Sequence, residues 1–234
     1  MKLALLSDAH CNSVGLAACL ERIAAMEVDA IYFLGDTVGY LSGPAAVLEL
    51  LEGAGAHCLK GNHEAMLLGE LPLDTERDRY YRLAAQRDEL GAAATARLAA
   101  WPEHRALEVD GARILLAHGS PAPSIVERVH EDTPWAPGPD FPYEAAFIGH
   151  THRAFIRREG GVQLVNVGSC GLPRDRGDLA AFAVYDGETR ESRIYRVRFD
   201  VEQALRLHGH GIAAEVRDVF RRDEPFHGGI LWAG

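Results

Sequence analysis

The chain opens Met1-Lys2-Leu3-Ala4-Leu5-Leu6-Ser7-Asp8-Ala9-His10 and continues, one helix length further on, with Ala30-Ile31-Tyr32-Phe33-Leu34-Gly35-Asp36. Each stretch is a short apolar run that stops at a small residue followed by an aspartate. Runs of this length suit strands buried on both faces, and residues 13–27 between them suit a crossover helix. A second helix is expected around 44–53. A third short strand, His57-Cys58-Leu59, then runs into Lys60-Gly61-Asn62-His63-Glu64. The opening therefore reads βαβα, the pattern of parallel strands joined by helices.

Outward from that opening the pattern changes. Residues 74–100 are rich in Ala, Leu, Arg and Glu and predict one helix that stops near Trp101-Pro102. Segments 105–109 and 113–116 flank Asp110-Gly111, a strong hairpin signal. Further strands are expected at about 145–148, 153–158, 162–167, 179–185 and 191–199, and a helix from about 201 to 222. Residues 119–142 hold six of the eleven prolines and predict an ordered loop over a functional site. Parallel crossovers giving way to hairpins predict an α/β fold, a two-sheet mixed β-sandwich flanked by helices in four layers. The 234 residues suit one domain, 1–234, with a helical C-terminal tail at about 201–234.

Composition narrows the function classes. A hydrophobic fraction of 47% with 25% charged residues is ordinary for a globular protein, and no run approaches the ~18 apolar residues of a membrane span, so no membrane partner is expected. The first apolar run reaches Ser7-Asp8 too soon for a signal-peptide core. Cys11, Cys19, Cys58 and Cys170 lack both zinc-like pairing and the density of a disulfide scaffold, which predicts a cytoplasmic setting. A net charge of −10 speaks against a broad nucleic-acid footprint, so no stable nucleic-acid partner is expected. A phosphate substrate would need positive charge supplied locally, which metal ions provide.

Five segments place Asp, His or Asn directly after a predicted strand: Asp8 and His10, Asp36, Asn62 and His63, His118, and His150 with His152. In parallel α/β arrangements the loops beyond the strands' carboxyl ends gather on one edge, where ligands bind, so these residues can converge. Imidazole and carboxylate donors suit Mn, Fe or Zn, and an amide oxygen adds a neutral ligand. Gly35, Gly61, Gly119 and Gly149 stand beside them where the chain must turn tightly.

Taken together, Ser7-Asp8-Ala9-His10, Gly35-Asp36, Gly61-Asn62-His63-Glu64, Ala117-His118-Gly119 and Gly149-His150-Thr151-His152 resemble, in order and spacing, the five motifs of the calcineurin-like metallophosphoesterase superfamily. The likeness runs from Met1 to roughly Arg198. It looks closest to small bacterial phosphodiesterase or phosphatase-type members with motifs like Gly35–Tyr40 and Asn166–Arg174. The resemblance implies two divalent metal ions, with Asp8, His10 and His152 on one, Asn62, His118 and His150 on the other, and Asp36 bridging. Two cations roughly 3.5–4 Å apart lower the pKa of a shared water, and the resulting hydroxide attacks a small phosphate ester or anhydride. His63 matches the histidine that protonates the leaving group or steadies the phosphoryl group, and Glu64 orients its neighbours.

Beside the motifs, Tyr40 offers a ring to stack on a base and Arg174 an anion contact, while Gly168, Ser169 and Gly171 suit a tight turn. Cys11 stands where relatives commonly carry glycine, a departure that either narrows the pocket or turns into the core. His57, His104, His130, His208, His210 and His227 read as structural or surface residues. Two alternatives stay open: a protein serine/threonine phosphatase, disfavoured because Thr37-Val38 replaces the Asp-Arg that such enzymes carry there, and a catalytically silent protein-binding scaffold. The sequence leaves the oligomeric state open.

Overall fold

A computed structural model describes residues 1–122, 124–225 and 229–231. Its strands are β1 (Lys2–Leu6), β2 (Ala30–Phe33), β3 (His57–Cys58), β4 (His104–Val109), β5 (Ala112–Ala117), β6 (Ala145–Ile148), β7 (Phe155–Glu159), β8 (Val162–Asn166), β9 (Leu179–Asp186), β10 (Glu191–Arg198) and β11 (Ile230–Leu231). The helices are α1 (Ser13–Ala24), α2 (Pro44–Gly53), α3 (Asn62–Leu68), α4 (Thr75–Tyr81), α5 (Leu83–Ala99), α6 (Val201–His208) and α7 (Ala214–Val219).

The strands form two mixed sheets. The first has the order β11-β10-β9-β1-β2-β3, the second β4-β5-β6-β8-β7. In the first, β1, β2 and β3 are parallel neighbours, while β9 runs antiparallel to both β1 and β10. In the second, β5, β6 and β8 are parallel, with antiparallel β4 and β7 at the edges. The two-sheet sandwich flanked by helices is thus the observed architecture.

Alternation along β1 explains why its apolar run is continuous. Leu3 and Leu5 face Ile114, Leu116, Phe147 and Val165 of the second sheet, whereas Ala4 and Leu6 face Leu16, Cys19 and Ile23 of α1. Side chains of a strand point to alternate faces, so a strand covered on both sides has no polar position to spare. Polar residues can appear only where β1 ends, at Ser7 and Asp8.

Three expectations need correction. The helix read over 74–100 is two helices: Arg82, at φ 60°, ends α4, and the Asp78 carboxylate then accepts the Leu83 N–H at 2.7 Å to start α5 in a new direction. Gly91, at φ 70° and ψ 179°, breaks the regular geometry of α5 again, a conformation open essentially to glycine alone. The helix read over 201–222 is also two, separated by Gly209 to Ala213 with Gly211 at φ 70°. The end of the expected tail, 226–228 and 232–234, lies outside the described residues.

The proline-rich stretch is the third. Val129, Trp135, Phe141 and Tyr143 pack on the outer face of the second sheet against Leu115, Ile148 and Leu164, so much of 119–142 covers that face instead of the site. Helices provide the outer layer on one sheet, and this irregular segment provides it on the other. The Asp110-Gly111 hairpin forms as read, both residues at positive φ (49° and 80°), the geometry of a type I′ turn. Among the described residues no helix is long and apolar enough to cross a membrane.

Candidate metal centre

Every predicted ligand sits just past the end of a strand or at the start of a short helix. Asp8 and His10 follow β1, Asp36 follows β2, His118 follows β5, and His150 and His152 follow β6. Asn62 begins α3. Because β1, β2, β5 and β6 end on the same side of the sandwich, all seven converge, and all are buried.

The loops carrying them are held in unusual backbone geometry. Asp8, His10, Asp36, His150 and His152 have φ values of 57°, 47°, 61°, 66° and 59°. A non-glycine residue in this left-handed region costs about 1–3 kcal/mol and persists only where its surroundings over-determine it. Here the loops after β1 and β2 keep bonding beyond the strands: Asp8 N–H donates to Gly35 O at 3.0 Å, His10 N–H to Asp36 O at 3.1 Å, and Cys11 N–H to Thr37 O at 2.8 Å. The close approach excludes side chains. A Cβ on Gly61 would stand 2.3 Å from Asp36 Oδ1, and one on Gly149 2.2 Å from Ser7 Oγ.

Glu64 locks this arrangement from beneath. Fully buried, it accepts the N–H groups of Asp36 (2.8 Å), Thr37 (2.7 Å) and Gly61 (2.8 Å) and the Thr37 hydroxyl (2.7 Å). The bond to Gly61 is one half of a capping box at the start of α3. From the other side the Asn166–Asp175 stretch acts as a brace: Ser169 Oγ donates to Asp8 O at 2.7 Å, Asn166 Nδ2 donates to Gly149 O at 2.7 Å, and Asp175 forms a buried pair with Arg196.

The two carboxylates and three of the imidazoles are tied down by one atom and leave the other facing inward. Asp8 Oδ2 accepts the His150 N–H at 2.9 Å, and Asp36 Oδ1 accepts the His63 N–H at 2.9 Å. His10, His118 and His152 place Nδ1 at 2.8, 2.9 and 2.6 Å from the carbonyl oxygens of Val38, Leu34 and Leu172. A carbonyl only accepts, so in each case Nδ1 carries a proton; His10 and His152 then present a neutral lone pair at Nε2, while His118 turns its Nε2 to the Asp36 carboxylate. This orientation by a distant hydrogen bond is the usual way a protein aims a metal-binding imidazole.

Those inward lone pairs then face one another. His10 Nε2 and His152 Nε2 are 3.0 Å apart, and His118 Nε2 lies 3.0 Å from Asn62 Oδ1 and 3.3 Å from Asp36 Oδ2. Asp8 Oδ1 and His150 Nε2 are buried with no hydrogen-bond partner. Acceptor facing acceptor in a buried site is unfavourable unless a proton or a cation lies between. The donor set therefore fits divalent cations. Three groups of ligand atoms, Asp8-His10-His152, His10-Asp36-His63 and Asp36-His118-His150, are each close enough to hold an ion, and Asp36 belongs to two of them.

Electrostatics follows the same geometry. Burial opposes charge on His118, but the neighbouring Asp36 carboxylate overrides it and carries the imidazole up to about 9. Burial pushes Asp36 itself up to about 7, with His118 pulling back. The two share one proton near neutrality. Burial holds His10 and His63 well below the ordinary imidazole value, with neighbouring histidines adding to the effect, and burial and His118 lower His150 to about 3.

His63 belongs to one of the three groups of ligand atoms and also reaches the rings around the cluster. Its ring packs against those of His10 (4.7 Å), Tyr81 (4.5 Å) and Tyr40 (5.1 Å), its Nε2 is 3.9 Å from Asp36 Oδ2, and its Nδ1 is buried against Gly39, where a Cβ would stand 2.1 Å away. Tyr40 also meets His10 edge-on at 4.7 Å, and its hydroxyl accepts from Arg174 Nη2 at 3.1 Å, so both expected substrate contacts lie at the rim of the cluster. Tyr81 was not legible as a site residue because it lies inside a charged helical run; the adjacent pair Tyr80-Tyr81 among arginines was the available signal.

Cys11 turns into the core, where its thiol meets Gln86 Oε1 at 3.5 Å and burial keeps it protonated, so it does not narrow the pocket. Its φ of 62° explains the preference for glycine at such a position. His208 bridges Ser13 Oγ and Ser42 O as a structural group, while His57, His104, His130 and His210 are exposed and His227 lies outside the described residues.

Known proteins share both the sequence pattern and the fold. The calcineurin-like phosphoesterase superfamily domain matches residues 1–190. An uncharacterised protein of Methanocaldococcus jannaschii is 28% identical over 86% of this chain and 89% of its own. A metallophosphoesterase from Sphaerobacter thermophilus superposes with a TM-score of 0.76 at 25% identity, covering 94% of this chain and 98% of its own. A hypothetical protein of Pyrococcus horikoshii OT3 superposes with a TM-score of 0.79 at 20% identity, over 97% and 98% of the two chains.

Proposed function

We propose, from the premise that the chain belongs to the calcineurin-like phosphoesterase superfamily, that it is a hydrolase of small phosphate esters or anhydrides working with two divalent cations. Asp8, His10 and His152 hold one cation, Asn62, His118 and His150 the other, and Asp36 is shared. Bound there, the cations supply Lewis acidity toward phosphoryl oxygens and a nucleophile from water at neutral pH. Manganese, iron and zinc all suit a set of imidazole, carboxylate and amide donors. The observation that carries this reading is the position of Asp36 Oδ2, 3.3 Å from His118 Nε2 and 3.8 Å from His10 Nε2.

The chain's own residues divide the remaining work. Glu64 and the Asn166–Asp175 brace fix the ligand loops before any substrate arrives, so little reorganisation is left to the reaction. His63, neutral and enclosed by rings, offers one N–H toward the site. As a neutral ring that N–H donates a hydrogen bond to a phosphoryl oxygen; passing a proton to the leaving oxygen would need the imidazolium, a form that a phosphate dianion beside the ring would favour. Arg174 adds fixed positive charge at the rim, and Thr37-Val38, standing where protein serine/threonine phosphatases carry Asp-Arg, favours a compact substrate over a folded phosphoprotein.

The test is direct. Protein reconstituted with Mn²⁺ is assayed for bound metal and for hydrolysis of p-nitrophenyl phosphate and bis(p-nitrophenyl) phosphate. Two ions per chain with metal-dependent turnover are expected. Stoichiometric metal without turnover of either ester, or of a panel of nucleotides, would count against the hydrolase reading.

A further inference from the structure

A cavity of about 280 Å³ adjoins the cluster, lined from α4 by Arg77, Tyr80 and Tyr81 and from α7 by Val216 and Val219. Its floor is shared with the metal centre. Tyr40 and Tyr81, which line it, are the residues whose rings enclose His63, and Leu172, which also lines it, is the residue whose carbonyl holds His152. A group bound here lies next to whatever the ligands hold.

The lining has a consistent chemistry. Three tyrosine rings and three aliphatic side chains surround a small volume, which suits a flat heteroaromatic ring. Positive charge is placed at its boundary with the metal centre: Arg174 donates to the Tyr40 hydroxyl and has no carboxylate partner among the described residues. Glu215 supplies an acceptor on the same wall for an exocyclic amino group. Aromatic faces, a guanidinium toward the phosphate side and an acceptor toward the edge are the elements that recognise a nucleoside phosphate.

We infer that the cavity between α4 and α7 is a nucleobase subsite, and that the phosphate compounds this protein acts on are nucleoside phosphates whose base lies against Tyr80 and Tyr81 while the phosphate faces the ligand cluster. The substrate half of this statement rests on the hydrolase reading above; the existence of the subsite does not.

The experiment compares two ligands that carry the same phosphate, adenosine 5′-monophosphate and ribose 5-phosphate, by calorimetric titration of the Mn²⁺-loaded protein. The nucleotide is expected to bind at least tenfold more tightly, since a base gains affinity by stacking on aromatic side chains and ribose alone does not. Tyr80→Ala and the uncharged Val219→Gln should each bring the nucleotide to the ribose 5-phosphate level and leave ribose 5-phosphate unchanged. Two variants guard against a local packing defect, and an unchanged metal stoichiometry shows that each is folded. Equal affinities for the two ligands in the unmodified protein, or a preference that survives both substitutions, overturns the subsite. Absence of p-nitrophenyl ester turnover would remove the hydrolase reading alone, because the affinity comparison does not depend on catalysis.

Discussion

The two halves of the site are built to different standards. On the strand-end half, each carboxylate and each Nδ1-bonded imidazole is anchored by a second atom, the backbone is held at positive φ, and the ligands are nearly inaccessible, from fully buried Asp8, His10 and His118 to Asn62 at 8%. On the helical half, α4 and α7 are seven and six residues long, Arg77 and Glu215 are exposed, and Tyr80 and Tyr81 are half-buried. Strain survives only where surrounding bonds enforce it, so the strained half has one geometry available. The helical half is free to vary side chains without disturbing that geometry. On the function proposed above, chemistry would belong to the first half and selectivity to the second.

The largest expected effect tests whether the strand-end half is one unit. Asp36→Ala removes the oxygen nearest to both groups of histidines, together with the acceptor for the His63 N–H. Metal content measured by mass spectrometry should fall and turnover should drop to background. Retention of two tightly bound ions with normal activity would sink the shared-ligand assignment.

His63 lies where the halves meet, touching His10 on one side and Tyr81 on the other. His63→Ala should keep both ions while lowering kcat by about 10²–10⁴, the range of a positioned proton donor. If the proton passes to the leaving oxygen, the loss is large for alkyl esters and small for nitrophenyl esters, whose leaving group needs little help. Equal losses for both would assign His63 to steadying the phosphoryl group instead.

How much of this was legible follows the same division. The convergence of the strand-end half could be read because its candidate ligands follow apolar runs that must stop where polar residues begin, as at Leu6-Ser7-Asp8 and Phe33-Leu34-Gly35-Asp36. The Asp110-Gly111 turn was legible because few sequences adopt two consecutive positive φ values. The helical half was opaque. Arg82 takes a left-handed φ that its residue type does not announce, and the Asp78 carboxylate that restarts the helix competes with it silently. The proline-rich stretch announced a loop, but Trp135 and Phe141 chose its location by tertiary packing. Ser169 and Asn12 act through backbone contacts to residues far away in sequence, Asn12 Nδ2 donating to Gly171 O at 2.6 Å, which no local pattern encodes.

A pH measurement separates a cation site from a merely buried polar cluster. The Asp36–His118 pair holds one proton at neutral pH because His118 is raised to about 9, whereas His150 at about 3 and the lowered His10 and His63 are neutral there. A cation can occupy His118 Nε2 only after that proton leaves. Affinity should therefore rise with pH, by about tenfold per unit for one released proton, and level off above about 9. Titration with Mn²⁺ in buffers of different ionisation enthalpy should report about one proton released at pH 7. Zero release would mean that the shared proton is not displaced.

The smallest effects sharpen the comparison most, because they remove an N–H-accepting carboxylate from each half. Glu64 and Asp78 are each carboxylates that accept backbone N–H groups at a helix start, Glu64 at α3 and Asp78 at α5. Glu64→Gln preserves shape but turns one acceptor into a donor that faces N–H groups. The cost should be about 1–3 kcal/mol of stability, the usual penalty for a buried donor left without an acceptor. Because those N–H groups belong to Asp36, Thr37 and Gly61, the ligand loops should loosen too, with metal affinity falling about tenfold, the lower end of the about 10–100-fold range for partners of ligating residues. Asp78→Ala should cost about 1 kcal/mol, as the loss of a helix cap does, and leave metal affinity unchanged. Thermal unfolding and Mn²⁺ titration of both variants give the answer. If Asp78→Ala weakens metal binding as much as Glu64→Gln, the two halves are mechanically one, and the helical wall cannot vary independently of the chemistry it flanks.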